Sequence, residues 1–130
     1  MVGRLFLHIG PPKTATTGLQ YAFEEIADET LIYGGTFQPR ARNSGSLSDI
    51  LFTAVSQGYM QHSRQLEEAV TQISNDVQSG KIVVISEEML ALSDSVPVAE
   101  RLAFLGDSLA GVPTTVILCA RDPQEAIPSF

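Results

Sequence analysis

Four consecutive β-branched residues, Ile82-Val83-Val84-Ile85, lie between Gly80 and a Ser86-Glu87-Glu88 step, and they constrain the fold more than any other stretch of the chain. A strand with one wet face alternates apolar and polar residues. An unbroken apolar run needs cover on both faces, which parallel sheets flanked by helices provide. Two further stretches read the same way. Arg4 to Ile9 is a short apolar run closed off by Gly10-Pro11-Pro12, and Thr114 to Ala120 follows Gly111-Val112-Pro113. Leu31 to Tyr33 gives a short additional strand ended by Gly34-Gly35.

Helical periodicity fills the intervals. Leu19, Ala22, Phe23 and Ile26 predict a helix from Thr16 to about Asp28, and Leu47, Ile50, Leu51, Ala54 and Val55 a short one stopped near Gly58. Leu66, Ala69, Val70, Ile73 and Val77 give a cleaner amphipathic helix ending at Ser79-Gly80. Pro97 opens another, with Val98, Leu102, Leu105 and Leu109 along one face. The segment Thr36 to Ser46 has no period and reads as a loop, its Arg40 and Arg42 solvated. Strands that alternate with helices imply right-handed crossovers, a central parallel sheet and helices on both faces, a three-layer α/β sandwich formed as one domain over residues 1–130.

Charge restricts the partners. The net charge of −7 argues against nonspecific nucleic-acid binding and against anionic membrane surfaces, which require basic patches. With only two Lys and six Arg, any bound anion depends on a few local cations, and Lys13 and Arg121 stand out. The single Cys119 lies in an apolar run and reads as a small buried hydrophobe, so nothing points to an oxidising compartment. The first apolar run is about five residues, too short for a signal peptide or anchor, and a cytoplasmic location is the expectation. His8 reads as a core histidine and His62 as a surface residue. No spacing of His, Cys, Asp and Glu suggests a metal site, and there is no Gly-rich dinucleotide fingerprint.

The turn after the first strand carries the chemistry. Gly10, Pro11 and Pro12 end the strand, and Lys13, Thr14, Ala15, Thr16 and Thr17 lead into a helix. A helix start presents unpaired backbone N–H groups and the positive end of a dipole, so an adjacent Lys makes a site for a phosphate-like anion. The Walker A loop places its lysine directly after a glycine; here Lys13 stands three residues after Gly10, so the loop is related but different. The stretch His8-Ile9-Gly10-Pro11-Pro12-Lys13-Thr14-Ala15-Thr16-Thr17 resembles the 5′-phosphosulfate loop of sulfotransferases that use 3′-phosphoadenosine 5′-phosphosulfate (PAPS), with Ala15 where that family usually has Gly.

A second stretch carries the same resemblance. Arg121-Asp122-Pro123 followed by Ser129, eight places after the arginine, is similar to the family's 3′-phosphate-binding segment. An arginine at a strand end and a hydroxyl about two helical turns on together suit a phosphate. Asp122, Pro123 and Glu125 have the pattern of a capped helix start, and Pro128 interrupts that helix.

The resemblance implies a P-loop nucleotide-kinase-like domain that transfers a sulfuryl group from PAPS to an acceptor hydroxyl or amine, leaving adenosine 3′,5′-bisphosphate (PAP). Lys13 would hold the bridging oxygen that becomes the leaving phosphate. Backbone amides from Lys13 to Thr17, Ala15 among them, and the hydroxyls of Thr14, Thr16 and Thr17 would bind the 5′-phosphate, and Arg121 and Ser129 the 3′-phosphate. The acceptor, a small molecule or glycan, needs a base, and its position varies within the family. Glu87 is the candidate because it leaves a buried strand at the carboxyl edge, where open α/β sheets bind ligands; Glu88 is second. Family domains continue beyond the second motif, so the 130 residues read as the N-terminal, truncated, cofactor-binding part. The rival readings are a P-loop-type nucleotide kinase or ATPase, and a noncatalytic nucleotide-binding module.

Overall fold

The computed structural model describes residues 2–9, 16–35, 46–56, 64–87 and 97–118. Within them the chain runs β1 (Arg4–His8), α1 (Thr16–Ile26), β2 (Leu31–Tyr33), α2 (Leu47–Ser56), α3 (Arg64–Gln78), β3 (Ile82–Ser86), α4 (Val98–Ser108) and β4 (Thr114–Ile117). The strands form one sheet in the order β2-β3-β1-β4, and every pairing is parallel. The fold is therefore α/β with a four-stranded parallel sheet, as the unbroken Ile82–Ile85 run requires.

Register assigns each strand residue to a face. Leu5 pairs with Val83 and Thr114, Leu7 with Ile85 and Val116, and Ile32 with Val83. Because side chains alternate, Leu5, Leu7, Ile32, Val83 and Ile85 share one face. That face carries the core. Leu5, Val83 and Ile85 are fully buried there with Leu51 of α2, Ile73 and Val77 of α3 and Leu105 of α4. The buried residues of α3 are Leu66, Ala69, Ile73 and Val77, the stripe that helical spacing predicts. Each fully buried Ile or Leu contributes about 1.5–3 kcal/mol relative to exposure, so truncating Ile73 to Ala costs about 2–5 kcal/mol.

Helix α1 lies on the other face. His8, Ser86, Tyr33 and Val84 project there by register, and α1 meets them through Gln20 and Phe23. The Phe23 and Tyr33 ring centroids are 5.8 Å apart. An arrangement with α1 on one face and α2, α3 and α4 on the other is compatible with a three-layer sandwich.

Several element ends follow from local chemistry. Gly80 adopts φ 93°, a left-handed conformation that side chains resist, and its N–H donates to Val77 O at 3.0 Å to close α3. Asp28 Oδ1 accepts from the backbone N–H of Thr30 and of Leu31 and from Thr30 Oγ1, each at 2.8 Å, which turns the chain from α1 into β2. Two expectations change. The α1 stripe is displaced, since Ile26 is 57 % exposed while Gln20 is buried. β4 is an edge strand among the described residues, with Val116 55 % exposed, and Ile82 at the start of β3 is exposed as well, so cover on both faces holds for Val83 to Ser86 and for the end of β1 but not for Ile82 or β4.

Candidate functional site

Topology selects one place on the sheet. From β1 the chain passes through α1 to β2 at one edge, and from β3 it passes through α4 to β4 at the other edge. β1 and β3 are neighbours whose connections depart in opposite directions, and in open α/β sheets that is where ligands bind, outside the carboxyl ends of the strands. The residues at those ends are His8, Ser86 and Glu87.

The strand ends are tied by backbone bonds. Glu87 N–H donates to His8 O at 2.8 Å, Ile9 N–H to Ile117 O at 3.2 Å, and Ser86 N–H to Gly35 O at 2.8 Å. Gly34 O in turn accepts the Ser48 N–H at the start of α2 at 3.0 Å.

Two groups of polar side chains sit on this edge, on opposite faces. On the α1 face, His8 Nδ1 lies 2.8 Å from Ser86 Oγ, and Gln20 Nε2 donates to the same oxygen at 3.2 Å. The Ser86 hydroxyl has two lone pairs and one proton, so it accepts from Gln20 and either donates to His8 Nδ1 or accepts from it, according to the His8 tautomer. All three side chains are buried, and Gln20 Oε1 is buried without a hydrogen-bond partner. An acceptor orphaned in this way is costly, and native structures keep few of them.

On the α2 face, Ser48 Oγ donates to Glu87 Oε2 at 3.2 Å, and the Glu87 side chain is fully buried. The Tyr33 phenol is pushed above its ordinary range, chiefly by burial and then by the negative charges of Glu24 and Glu87. The phenol stays protonated and polar at neutral pH.

The predicted site residues are placed unequally. Glu87 stands at the carboxyl edge, as its position after a central strand implied, and it is enclosed by the fold. Thr16 and Thr17 form the first turn of α1, whose axis begins at the same edge. Lys13, Thr14, Ala15, Arg121 and Ser129 lie outside the described residues, as do Glu88, His62 and Cys119. The connection that carries Lys13 nonetheless has both ends defined: β1 closes at His8 and α1 opens at Thr16.

Sequence reasoning missed Gln20, Ser48 and Ser86. Gln20 is buried although it lies off the apolar period of Leu19, Ala22, Phe23 and Ile26, which gave no reason to bury it. Ser48 and Ser86 are short hydroxyls with no spacing to mark them; the register of β1 against β3 brings Ser86 to His8, and the approach of α2 to β3 brings Ser48 to Glu87. Arg101, buried on α4, was equally unmarked.

Among the described residues no three His, Cys, Asp or Glu side chains converge as a metal ion would require, and no helix is long and apolar enough to cross a membrane. Comparison with protein-family models, with curated proteins and with solved structures yields no match.

Proposed function

We propose that the chain is the cofactor-binding part of a PAPS-dependent sulfotransferase with a nucleotide-kinase-like arrangement. The observation that carries the reading is the sheet edge at which central strand β1 ends, at His8, and the eleven-residue helix α1 begins, at Thr16: the Lys13 sequence falls between them, where the connections of β1 and β3 run in opposite directions. The sheet order β2-β3-β1-β4 adds support, because it differs from both the 3-2-1-4 order of dinucleotide-binding folds and the 2-1-3-4 order of flavodoxin-like folds.

PAPS, when bound, supplies the activated sulfuryl group. The first-turn amides of α1 and the Thr16 and Thr17 hydroxyls suit its 5′-phosphate, since four N–H groups at a helix start lack intrahelical partners. Lys13 would neutralise the phosphate oxygen that leaves, Arg121 with Ser129 would hold the 3′-phosphate, and Glu87 would take the proton of the acceptor hydroxyl. The Glu87 carboxylate is enclosed by the fold and anchored by Ser48.

Thermal denaturation with ligands tests this reading. Adenosine 3′,5′-bisphosphate raises the Tm, and Lys13→Ala and Arg121→Ala each remove the rise. Stabilisation by ATP with Mg²⁺ and none by the bisphosphate would replace the reading with a kinase or ATPase. For the chemistry, Glu87→Gln keeps a partner for Ser48 and lowers sulfate transfer by about 10²–10⁴-fold, with the bisphosphate effect intact. Full transfer by Glu87→Gln removes Glu87 from the reaction.

A further inference from the structure

Next to this edge, beyond the end of β2, lies a cavity of about 460 Å³ between α2 and α3. Its size falls in the range of small-molecule sites, roughly 300–1,000 Å³. The floor is apolar, made by Ile32, Leu47, Ile50 and Ala69. The rim is polar, made by Gln65, Glu68 and Gln72, which recur at i, i+3 and i+7 along α3 and so form one stripe beside its buried one. All three rim side chains are exposed, and Arg64 Nε fixes Glu68 by donating to its Oε1 at 3.0 Å.

Glu87 does not itself line the cavity, but two of the wall residues are tied to its surroundings. Leu47 lines it, and the next residue, Ser48, holds Glu87. Gly35, also in its wall, accepts the N–H of Ser86 just before Glu87.

We propose that this cavity is the acceptor pocket and takes an uncharged, hydroxyl-rich ring compound, whose hydroxyls are read by Gln65, Glu68 and Gln72 while its C–H face packs on Leu47 and Ile50. The proposal rests on the sulfuryl-transfer reading. Amides supply donors and acceptors together, a fixed carboxylate supplies acceptors only, and the three suit hydroxyl groups that both give and take hydrogen bonds. The chain's net charge of −7 disfavours an anionic acceptor, while at the rim the Glu68 carboxylate is balanced by Arg64.

Amide-resolved NMR titration of the 130-residue chain with methyl β-D-glucopyranoside, with the corresponding glucuronide as the charged counterpart, tests the pocket; bisphosphate thermal shifts are run on the same samples. The glucoside is expected to shift the Leu47 and Gln72 amides, and the glucuronide to bind about tenfold more weakly. Gln72→Trp, which fills the mouth, abolishes the shifts and leaves the bisphosphate effect intact. Gln65→Ala, a smaller change on the same rim, weakens glucoside binding at least about tenfold should the bulkier variant disturb the fold. Bisphosphate stabilisation with no glucoside shift, or with glucuronide bound as well as glucoside, overturns the pocket and leaves the cofactor reading standing. Glucoside binding without bisphosphate stabilisation overturns the acceptor role together with that reading.

Discussion

Ser48 Oγ and Glu87 Oε2, 39 residues apart in sequence, are joined by a 3.2 Å hydrogen bond that ties the start of α2 to the residue following β3. Both side chains are fully buried, so the bond is shielded from water. Ser48→Ala leaves a buried carboxylate short of a donor and is expected to cost about 1–3 kcal/mol. Urea denaturation should show a lower midpoint with an unchanged slope; an unchanged midpoint would mean that the bond contributes nothing.

The polar group on the other face of the sheet gives an ordered pair of outcomes. Ser86→Ala removes the oxygen shared by His8 and Gln20 and takes one partner from each, for a cost of about 1–3 kcal/mol. Gln20→Leu removes one donor but also eliminates the orphaned Oε1, so the loss is smaller. Equilibrium unfolding of the two variants decides the point, and a larger loss for Gln20→Leu would show that Oε1 is not a burden.

Acid should act at the α1–β2 turn. The Asp28 carboxyl is held below its ordinary 3.8 by the Thr30 hydroxyl first, then by the Leu31 and Thr30 amides. A depressed folded-state pKa gives stability that is present above the unfolded value and lost as pH falls through the folded one. The stability gap between the native chain and Asp28→Asn should therefore be constant above about pH 5 and close as pH falls below 3.8. Urea midpoints across that interval measure it, and a gap independent of pH would rule the contribution out.

Two glycines should respond oppositely to the same substitution. A Cβ on Gly3 would stand 1.8 Å from Lys81 O, a backbone atom that cannot swing aside, so Gly3→Ala pushes β1 away from the turn after α3 and costs at least about 1–3 kcal/mol. A Cβ on Gly106, inside α4, would meet nothing within 4 Å, and Gly106→Ala stabilises by about 0.5–1 kcal/mol. Thermal melts of the two variants should move to opposite sides of the native Tm.

The sheet was legible because its evidence is redundant. Ile82–Ile85, Leu5–Ile9 and Leu66–Val77 each carry several apolar residues in one register, so no single side chain decides the reading. The placement of Glu87 at the carboxyl edge was legible for the same reason, since it needs only the end of a strand. The phase of α1 was not. Ala22 and Ile26 supplied the apolar period, yet both are exposed and the buried line passes through Gln20 and Phe23, because a hydrogen bond to Ser86 rewards an amide there. Hydropathy assigns no value to such a bond. Ser48 escaped similarly: its partner is set by the approach of α2 to β3, which no local pattern encodes.

The position of β1 at the centre of the sheet bears on the birth of the molecule. It precedes both of its partners in the chain, Ile82–Ser86 on one side and Thr114–Ile117 on the other. At synthesis rates of about 5–20 residues per second, the Leu5–Ile9 run waits several seconds or longer for either neighbour. Local helices such as α3 form far sooner, within about a microsecond. During that interval an apolar strand has no native mate, so the central pairing of the sheet is non-local and is completed only after Thr114–Ile117 has been made.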